Sequence, residues 1–576
     1  MTRLSKNHHQ KICKNNGQQR RPSRRHFLQG AAALSSLKLS GCGSSEASIA
    51  SLLPAGETPP SPEPGSGVHP IFGADSMTRQ NEALNIRNEA ATFQSGVKYG
   101  TQETNGDEGL YADYRGSYSK GLPHNNLGEV DRNAYESFLQ ALDSGENDRF
   151  EAIPLGGTRK LANPQAAFRF ELVGLDSHKT YMRPAPSFAG LETAAEMGEL
   201  YWKSLCRDVP FAEYETSSLI QAAITDLNAF SETVGPKQGS SVNVETIFRG
   251  ETPGDLVGPY ISQFLWQDVP YGNTTIVQTY DTPAVGNDFA TSESAWLSIQ
   301  RGGASAPLNK GFRRYINDAR GLGEFVHIDY SYQSYLNAAL ILLGIPGSFD
   351  IGNLYNTSTT QGAFATLGGP DVLDLVAKAG NLALSGAWYQ KWLVHRRLRP
   401  EAYGGRLHFQ KTMQKSYDLP SEILESEGVG RVFANTGTYL LPQAFPEGSP
   451  THPSYPAGHA TIAGACTTIL KAFFEESLEF PNPVICSNDG SQLRPYTGPA
   501  LTLGGEINKL ANNIALGRDW AGVHYRSDGV DGLQVGEQQA IGLLQDYTRT
   551  YRETFDGFTL TKFDGTTVNI NNGLTT

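Results

Sequence analysis

The stretch His452-Pro-Ser-Tyr-Pro-Ala-Gly-His-Ala460, running on into Thr461-Ile-Ala-Gly-Ala-Cys-Thr-Thr-Ile-Leu-Lys471, decides how this chain is read. Two prolines and a glycine shape a tight entry. The Ala- and Gly-rich run behind them reads as a helix whose small side chains let a second helix lie close. Such a helix start exposes unpaired N–H groups, Gly458 among them, and so forms an anion site, with His459 as a titratable group beside it. A lone histidine at a helix start is more often structural; the prolines and glycine around this one point to a site.

Upstream, Trp388-Tyr-Gln-Lys-Trp-Leu-Val-His-Arg-Arg-Leu-Arg-Pro400 closes an apolar-periodic helix rich in Ala and Leu, with Pro400 as its stop. Lys391, His395 and Arg399 fall at i, i+4 and i+8, so on a helix they converge on one region, while Arg396 and Arg397 are expected to face solvent. Taken alone, the segment also suits a basic helix C-terminus favoured by the macrodipole. Downstream, Leu516-Gly-Arg-Asp-Trp-Ala-Gly-Val-His-Tyr-Arg-Ser-Asp528 sets Arg518 six residues before His524 and Asp528 four after it. If helical, this spacing lets Asp528 reach one ring nitrogen of His524, orienting the ring and raising its basicity as ligand or nucleophile.

Around these segments the patterning predicts a mainly α fold, a helical bundle with a few short β-hairpins. Helices are expected over 81–94, 190–206, 215–231, 331–344, 372–399, 457–476, 505–518 and 528–548. The clearest strand signal is Phe558-Thr-Leu-Thr-Lys-Phe563, turning at Asp564-Gly565 into Thr566-Thr-Val-Asn-Ile570, which reads as a hairpin. The amphipathic segment 191–202 reads as core packing. Residues 101–190 carry no assigned element and are read as long surface loops or an assembly surface. The body of the protein is placed at 69–576, with the site motifs in 388–528.

The 576 residues carry a net charge of −12. An acidic chain repels phosphate backbones, which argues against nucleic acid as partner and makes any anion site a local cation cluster. The cysteines, Cys13, Cys42, Cys206, Cys466 and Cys486, form no CxxC pair, which argues against zinc. Cys466 reads as a packed core thiol, and the spacing leaves a Cys206–Cys486 disulfide open. Ser23-Arg-Arg-His-Phe-Leu28 resembles a bacterial twin-arginine export signal, and Leu39-Ser-Gly-Cys42 resembles a lipobox in which Cys42 would be acylated. On that reading residues 1–42 are a signal, the Ser/Pro/Gly-rich 43–68 a tether, and the protein extracytoplasmic; a disordered basic tail is the plainer alternative.

The three segments together resemble the vanadium haloperoxidase and type 2 acid phosphatase superfamily, whose motifs run Lys…Arg-Pro, Ser-Gly-His and Arg…His. Here they stand as Lys391…Arg399-Pro400, Ala457-Gly458-His459 and Arg518…His524. The seven residues between Lys391 and Arg399, and His452 seven positions before His459, are similar to the algal bromoperoxidases. The resemblance implies vanadate as cofactor, bound through a ring nitrogen of His524. Lys391, Arg399, Arg518 and the Gly458 amide would hold its oxygens, and His459 would act as acid and base. Hydrogen peroxide would oxidise bromide, or iodide or chloride, to hypohalous acid, which halogenates a small organic acceptor. Trp388 and His452 would wall the halide pocket, and a homodimer or larger assembly is implied. The rivals are an acid phosphatase with His524 as nucleophile and a non-catalytic anion-binding lipoprotein. One departure stands out: Ala457 replaces the serine that donates to the oxyanion in the family.

Overall fold

Gly464 and Gly536 show why the Ala/Gly run matters. A Cβ on Gly464 would lie 2.1 Å from the Leu533 carbonyl oxygen, and one on Gly536 would lie 2.0 Å from that of Thr461. Only glycine lets the two helix backbones meet so closely. The helices that carry or brace the site are α1 (Ser76–Gly96), α2 (Arg132–Ser144), α3 (Leu191–Cys206), α4 (Ala319–Phe325), α5 (Gly369–Tyr389), α6 (Pro400–Lys411), α7 (Gly458–Phe473), α8 (Leu503–Trp520) and α9 (Arg526–Thr548). The close pair is α7 with α9, and α5 and α8 pack on the remaining flanks of α7. From Ala460 to Phe473 every residue of α7 is buried, so it forms the centre of the core. The computed structural model describes residues 76–304 and 306–576. The export-signal segment, Cys42 and the 43–68 tether lie outside these residues.

The mainly helical class is as predicted, and the remaining predicted helices appear as Ser218–Leu227 and Gln333–Leu343. The predicted hairpin is also present: Phe558–Thr561 pairs antiparallel with Thr567–Asn571, Phe558 opposite Ile570. It docks on the end of α7, where the tilted rings of Phe473 and Phe558 lie 5.0 Å apart and Lys471 donates to the Thr561 carbonyl at 2.6 Å. Further two-stranded antiparallel pairs lie in the connections. Cys466 is a buried core thiol, and Cys206 and Cys486 are free thiols with no disulfide between them. No helix among the described residues is long and apolar enough to cross a membrane.

Two expectations are corrected. The helix predicted over 372–399 is not continuous: α5 ends at Tyr389, Gln390–His395 is a π-helical turn, and Arg396 takes a left-handed conformation at φ 39°. Pro400 starts α6 where it was expected to stop a helix. Proline has no N–H to lose at a first helical position and forces its predecessor, Arg399, into an extended conformation (φ −78°, ψ 150°).

Residues 101–190 are also more than surface loops. Tyr135 and Phe138 of α2 join Tyr118 and Trp392 in a satellite core, with Phe138 and Tyr118 edge-on to Trp392 at 5.9 and 5.7 Å. Trp392 follows Lys391, so this segment clamps the π-turn that carries the site lysine.

Candidate active site

The site forms where the 452–459 entry, the π-turn, the first residue before α6, and the ends of α8 and α9 meet. Lys391 is fully buried and donates to the carbonyls of Pro453 and Ser454 at 2.7 and 2.8 Å. Arg399 donates from Nε to the His452 carbonyl at 2.9 Å and from Nη1 to the Val523 carbonyl at 2.7 Å. It also reaches Nε2 of His524 at 2.9 Å and Nδ1 of His452 at 3.0 Å. Arg518 donates to the Val326 carbonyl at 2.6 Å, lies over the Phe445 ring at 5.1 Å, and keeps a buried Nε without a partner.

None of these three cations forms an ion pair with a carboxylate among the described residues; their protein partners are carbonyls and imidazoles. Buried unpaired charge is costly, and their ionisation registers it. Burial, then the Arg399 charge, holds Lys391 well below the usual lysine range, and burial lowers Arg399 and Arg518 to about 10. An oxyanion is the species that would relieve this repulsion. The residues present therefore fit a tetrahedral anion such as vanadate or phosphate.

The histidines are set by what the arginine allows. A guanidinium only donates, so Nε2 of His524 must offer its lone pair to Arg399. The ring proton of His524 then sits on Nδ1, which donates to Asp528 Oδ2 at 2.8 Å. Burial, then the charges of Arg399, Lys391 and Arg518, keeps His524 neutral, far below the usual histidine range. The same logic places the proton of His452 on Nε2. Its Nδ1 stands 3.0 Å from Arg399 Nη2 and 3.2 Å from the Pro453 carbonyl, and an N–H there would face the guanidinium.

Asp528 reaches His524 as the spacing predicts, although not from a shared helix. α9 begins only at Arg526, and Asp528 turns back from its first turn, accepting also from the Tyr525 amide at 3.1 Å and from the Ser454 hydroxyl.

Gly458 opens α7, and the first-turn amides there have no intrahelical acceptor. Its Cα faces Trp388: a Cβ would meet the indole at 3.6 Å. Trp388 in turn tilts against His452, ring centroids 4.9 Å apart, and donates to the carbonyls of Ala162 and Asn163 at 3.2 and 3.1 Å. Ala457 is the N-cap and offers no side-chain cap. Ser454, the nearest serine in the chain, is committed to Asp528. His459 is the open member of the group, its side chain 29% exposed, with Nε2 3.1 Å from Asp329 Oδ1.

The structure thus brings together Lys391, Arg399, Gly458, His459, Arg518 and His524, with Trp388, His452 and Asp528 around them. His395 does not join them. It is buried edge-on to Tyr455 at 4.8 Å with both ring nitrogens unpartnered, because the π-turn breaks the i, i+4, i+8 alignment.

Arg397, expected in solvent, is buried against Asp528, Ser527 and Glu196, each at 2.8 Å, with its guanidinium 3.8 Å over Tyr525. Arg396 is half-buried and pairs with Glu108 at 2.6 Å. Sequence reasoning missed Asp329, Arg397 and Glu196; no local spacing marks the first or last, and Arg397 was passed over through the assumption of an unbroken helix.

A family model described as the VCPO second helical-bundle domain matches residues 375–553, which enclose all the motif residues. The chain is 34% identical over 568 residues to a vanadium-dependent bromoperoxidase of Corallina pilulifera, covering 81% of this chain and 94% of that protein. To the enzyme of that name from Corallina officinalis it is 35% identical over 547 residues, covering 79% and 90%. To that from Ascophyllum nodosum it is 35% identical over 504 residues, covering 82% and 89%. Among solved structures, the homohexameric second vanadate-dependent bromoperoxidase of Ascophyllum nodosum matches with a TM-score of 0.83 at 28% identity, over 91% of this chain and 96% of that one.

Proposed function

The chain belongs to the vanadium-dependent haloperoxidase family, as a relative of the algal bromoperoxidases, and from that membership we propose that it uses hydrogen peroxide to oxidise bromide to hypobromous acid, which then halogenates a small organic acceptor. One observation carries the site assignment: buried, carboxylate-free Lys391, Arg399 and Arg518 converge on a neutral His524 whose Nδ1 is tied to Asp528.

In this reading Lys391, Arg399, Arg518 and the Gly458 amide would hold the oxygens of vanadate, and His524 Nε2 would be the ligand to the metal. Vanadate, when bound, supplies a Lewis-acidic centre that makes hydrogen peroxide electrophilic toward a halide. The three buried cations would neutralise negative charge at the oxygens where screening by water is weak. Asp528 fixes the ring of His524 and keeps its Nδ1 protonated, so that Nε2 remains the donor. His459 takes up and releases the peroxide proton at Nδ1, since Asp329 occupies its Nε2. His452, with its proton on Nε2, and the indole of Trp388 form a wall suited to a halide.

The homohexameric relative supports a homo-oligomer for this chain. The twin-arginine-like and lipobox-like segments support export and a lipid anchor at Cys42.

The test incubates purified protein with orthovanadate, peroxide, bromide and a brominatable dye, beside phosphate-ester hydrolysis without vanadate. Vanadate-dependent bromination is expected. Absence of bromination at every vanadate concentration, with ester hydrolysis present, would transfer the site to the phosphatase reading with His524 as nucleophile.

A further inference from the structure

Behind His524 the hydrogen bonds continue beyond Asp528. Asp528 Oδ2 accepts from His524, and Oδ1 accepts from Arg397 Nη1 at 2.8 Å. The other arm of Arg397, Nη2, donates to Glu196 Oε2 at 2.8 Å. Glu196 Oε1 accepts from the Ser527 amide at 2.6 Å, one residue before Asp528, so the carboxylate is pinned at both oxygens. Glu196, Arg397 and Asp528 are all buried, at 1%, 4% and 0% exposure. Glu196 comes from α3, an element that contributes nothing else to the oxyanion pocket, and it lines a separate cleft of about 790 Å³ with Glu192, Arg526 and Ser527.

The charge arithmetic gives this row a purpose. Asp528 alone would present one negative charge to the Nδ1–H of His524. Arg397 in direct contact withdraws that charge and competes for the same carboxylate. Glu196 on the far side neutralises Arg397, leaving a net charge of −1 on the triad facing His524. In a buried setting such partners act at short range with little screening.

We propose that Glu196 is a positioning residue for the metal-ligand histidine: acting through Arg397, it preserves the acceptor strength of Asp528 and so the donor strength of His524 Nε2. This rests on the oxyanion-site reading above and extends it to a residue of α3.

The experiment uses the metal-free full chain, with orthovanadate and inorganic phosphate as separate probes, in wild type and Glu196→Gln. Glutamine keeps the shape and an acceptor but removes the charge. Calorimetry reads the affinity for each anion, and proton NMR reads the downfield Nδ1–H signal of His524, which a purely structural role for Glu196 would leave in place. Glu196→Gln is expected to weaken vanadate binding about tenfold and to move that signal upfield, with phosphate, which takes no bond from Nε2, binding no more weakly than in wild type. Glu196→Asp, which keeps the charge, is expected to recover most of both and serves as the second variant should Glu196→Gln fold poorly. Glu192→Gln, in the same cleft but outside the row, is expected to match wild type.

Wild-type vanadate affinity and an unmoved signal in Glu196→Gln would overturn the proposal, as would an equal loss in Glu192→Gln, or a Glu196→Asp variant as impaired as the glutamine. If wild type itself takes neither anion, the oxyanion reading falls and the row's role with it. If wild type binds vanadate and Glu196→Gln binds it equally, only the role of Glu196 falls.

Discussion

Arg399 and His524 meet at 2.9 Å between Nη1 and Nε2, so the ring nitrogen turned toward the cationic pocket holds a lone pair and the proton lies on the side of Asp528. The nitrogen proposed as ligand thus carries a lone pair without an anion, and the arginine facing it is one of the groups that would hold the oxyanion.

Removing that nitrogen tests the assignment directly. His524→Ala should keep the fold, since the cations and helices around it remain, but lose vanadate affinity by at least about 100-fold. Vanadium content after gel filtration, by elemental analysis, is the measurement; wild-type retention would remove His524 from the role of ligand.

Ala457 stands at the N-cap of α7, buried and without a capping side chain. Ala457→Ser supplies a hydroxyl that donates to the oxyanion. A hydrogen bond to a charged group contributes about 1.5–3 kcal/mol, so vanadate should bind at least about tenfold more tightly. Equilibrium titration of the metal-free protein with vanadate measures it, and unchanged affinity would mean another group already serves those oxygens.

Burial and then Arg518 hold His459 below the ordinary histidine range, while Asp329 opposes them. In Asp329→Asn only the lowering influences remain, so the His459 titration should move further toward acid pH. A step in the pH–rate profile that needs protonated His459 should move the same way. NMR titration of the metal-free variant checks the direction; a shift toward alkaline pH would contradict the pairing.

His327 bridges Glu324 at 3.0 Å and Glu447 at 2.9 Å and stacks on Phe445 at 3.9 Å. Burial opposes its charge, but the two carboxylates outweigh it and push the imidazole up to about 9. A folded value above the unfolded value of about 6.5 means that the stabilisation is complete below that pH and is lost as pH rises through about 9. His327→Gln should therefore lower the melting temperature by about 2–4 °C at pH 6 and by less at pH 10, as read by calorimetry. An equal drop at both would show that packing on Phe445, and not charge, is what matters.

Gly536 meets the Thr461 carbonyl in the α7–α9 contact. Gly536→Ala should cost about 1–3 kcal/mol by overpacking, measured by urea denaturation, because both helix backbones would have to part. The displaced helices carry Gly458 and Asp528, so oxyanion affinity should fall with stability.

The motif residues were legible because each lies in a short segment with its own chemistry. Gly458 and His459 sit at a helix start marked by two prolines, and Asp528 lies within reach of His524 by chain spacing alone. The helix through 372–399 was misread for a local reason: Pro400 suits a first helical position as well as a stop, and a period count cannot tell the two apart. Arg397 was lost with it. His459 and Asp329 are 130 residues apart, and Arg397 and Glu196 are 201 apart. No periodicity or spacing connects such pairs, since their contact exists only after the chain has closed on itself.

By itself, then, the sequence determined that this is a helical protein with a cationic pocket at the start of α7, because apolar periodicity, proline and glycine act within a few residues of themselves. The tertiary structure decided how that pocket works: which nitrogen of His524 bears the proton, that Asp329 holds His459, and that Glu196 and Arg397 stand behind Asp528. Those are long-range pairings of buried charge, and they depend on how helices pack and where the dielectric is low, neither of which a linear pattern encodes.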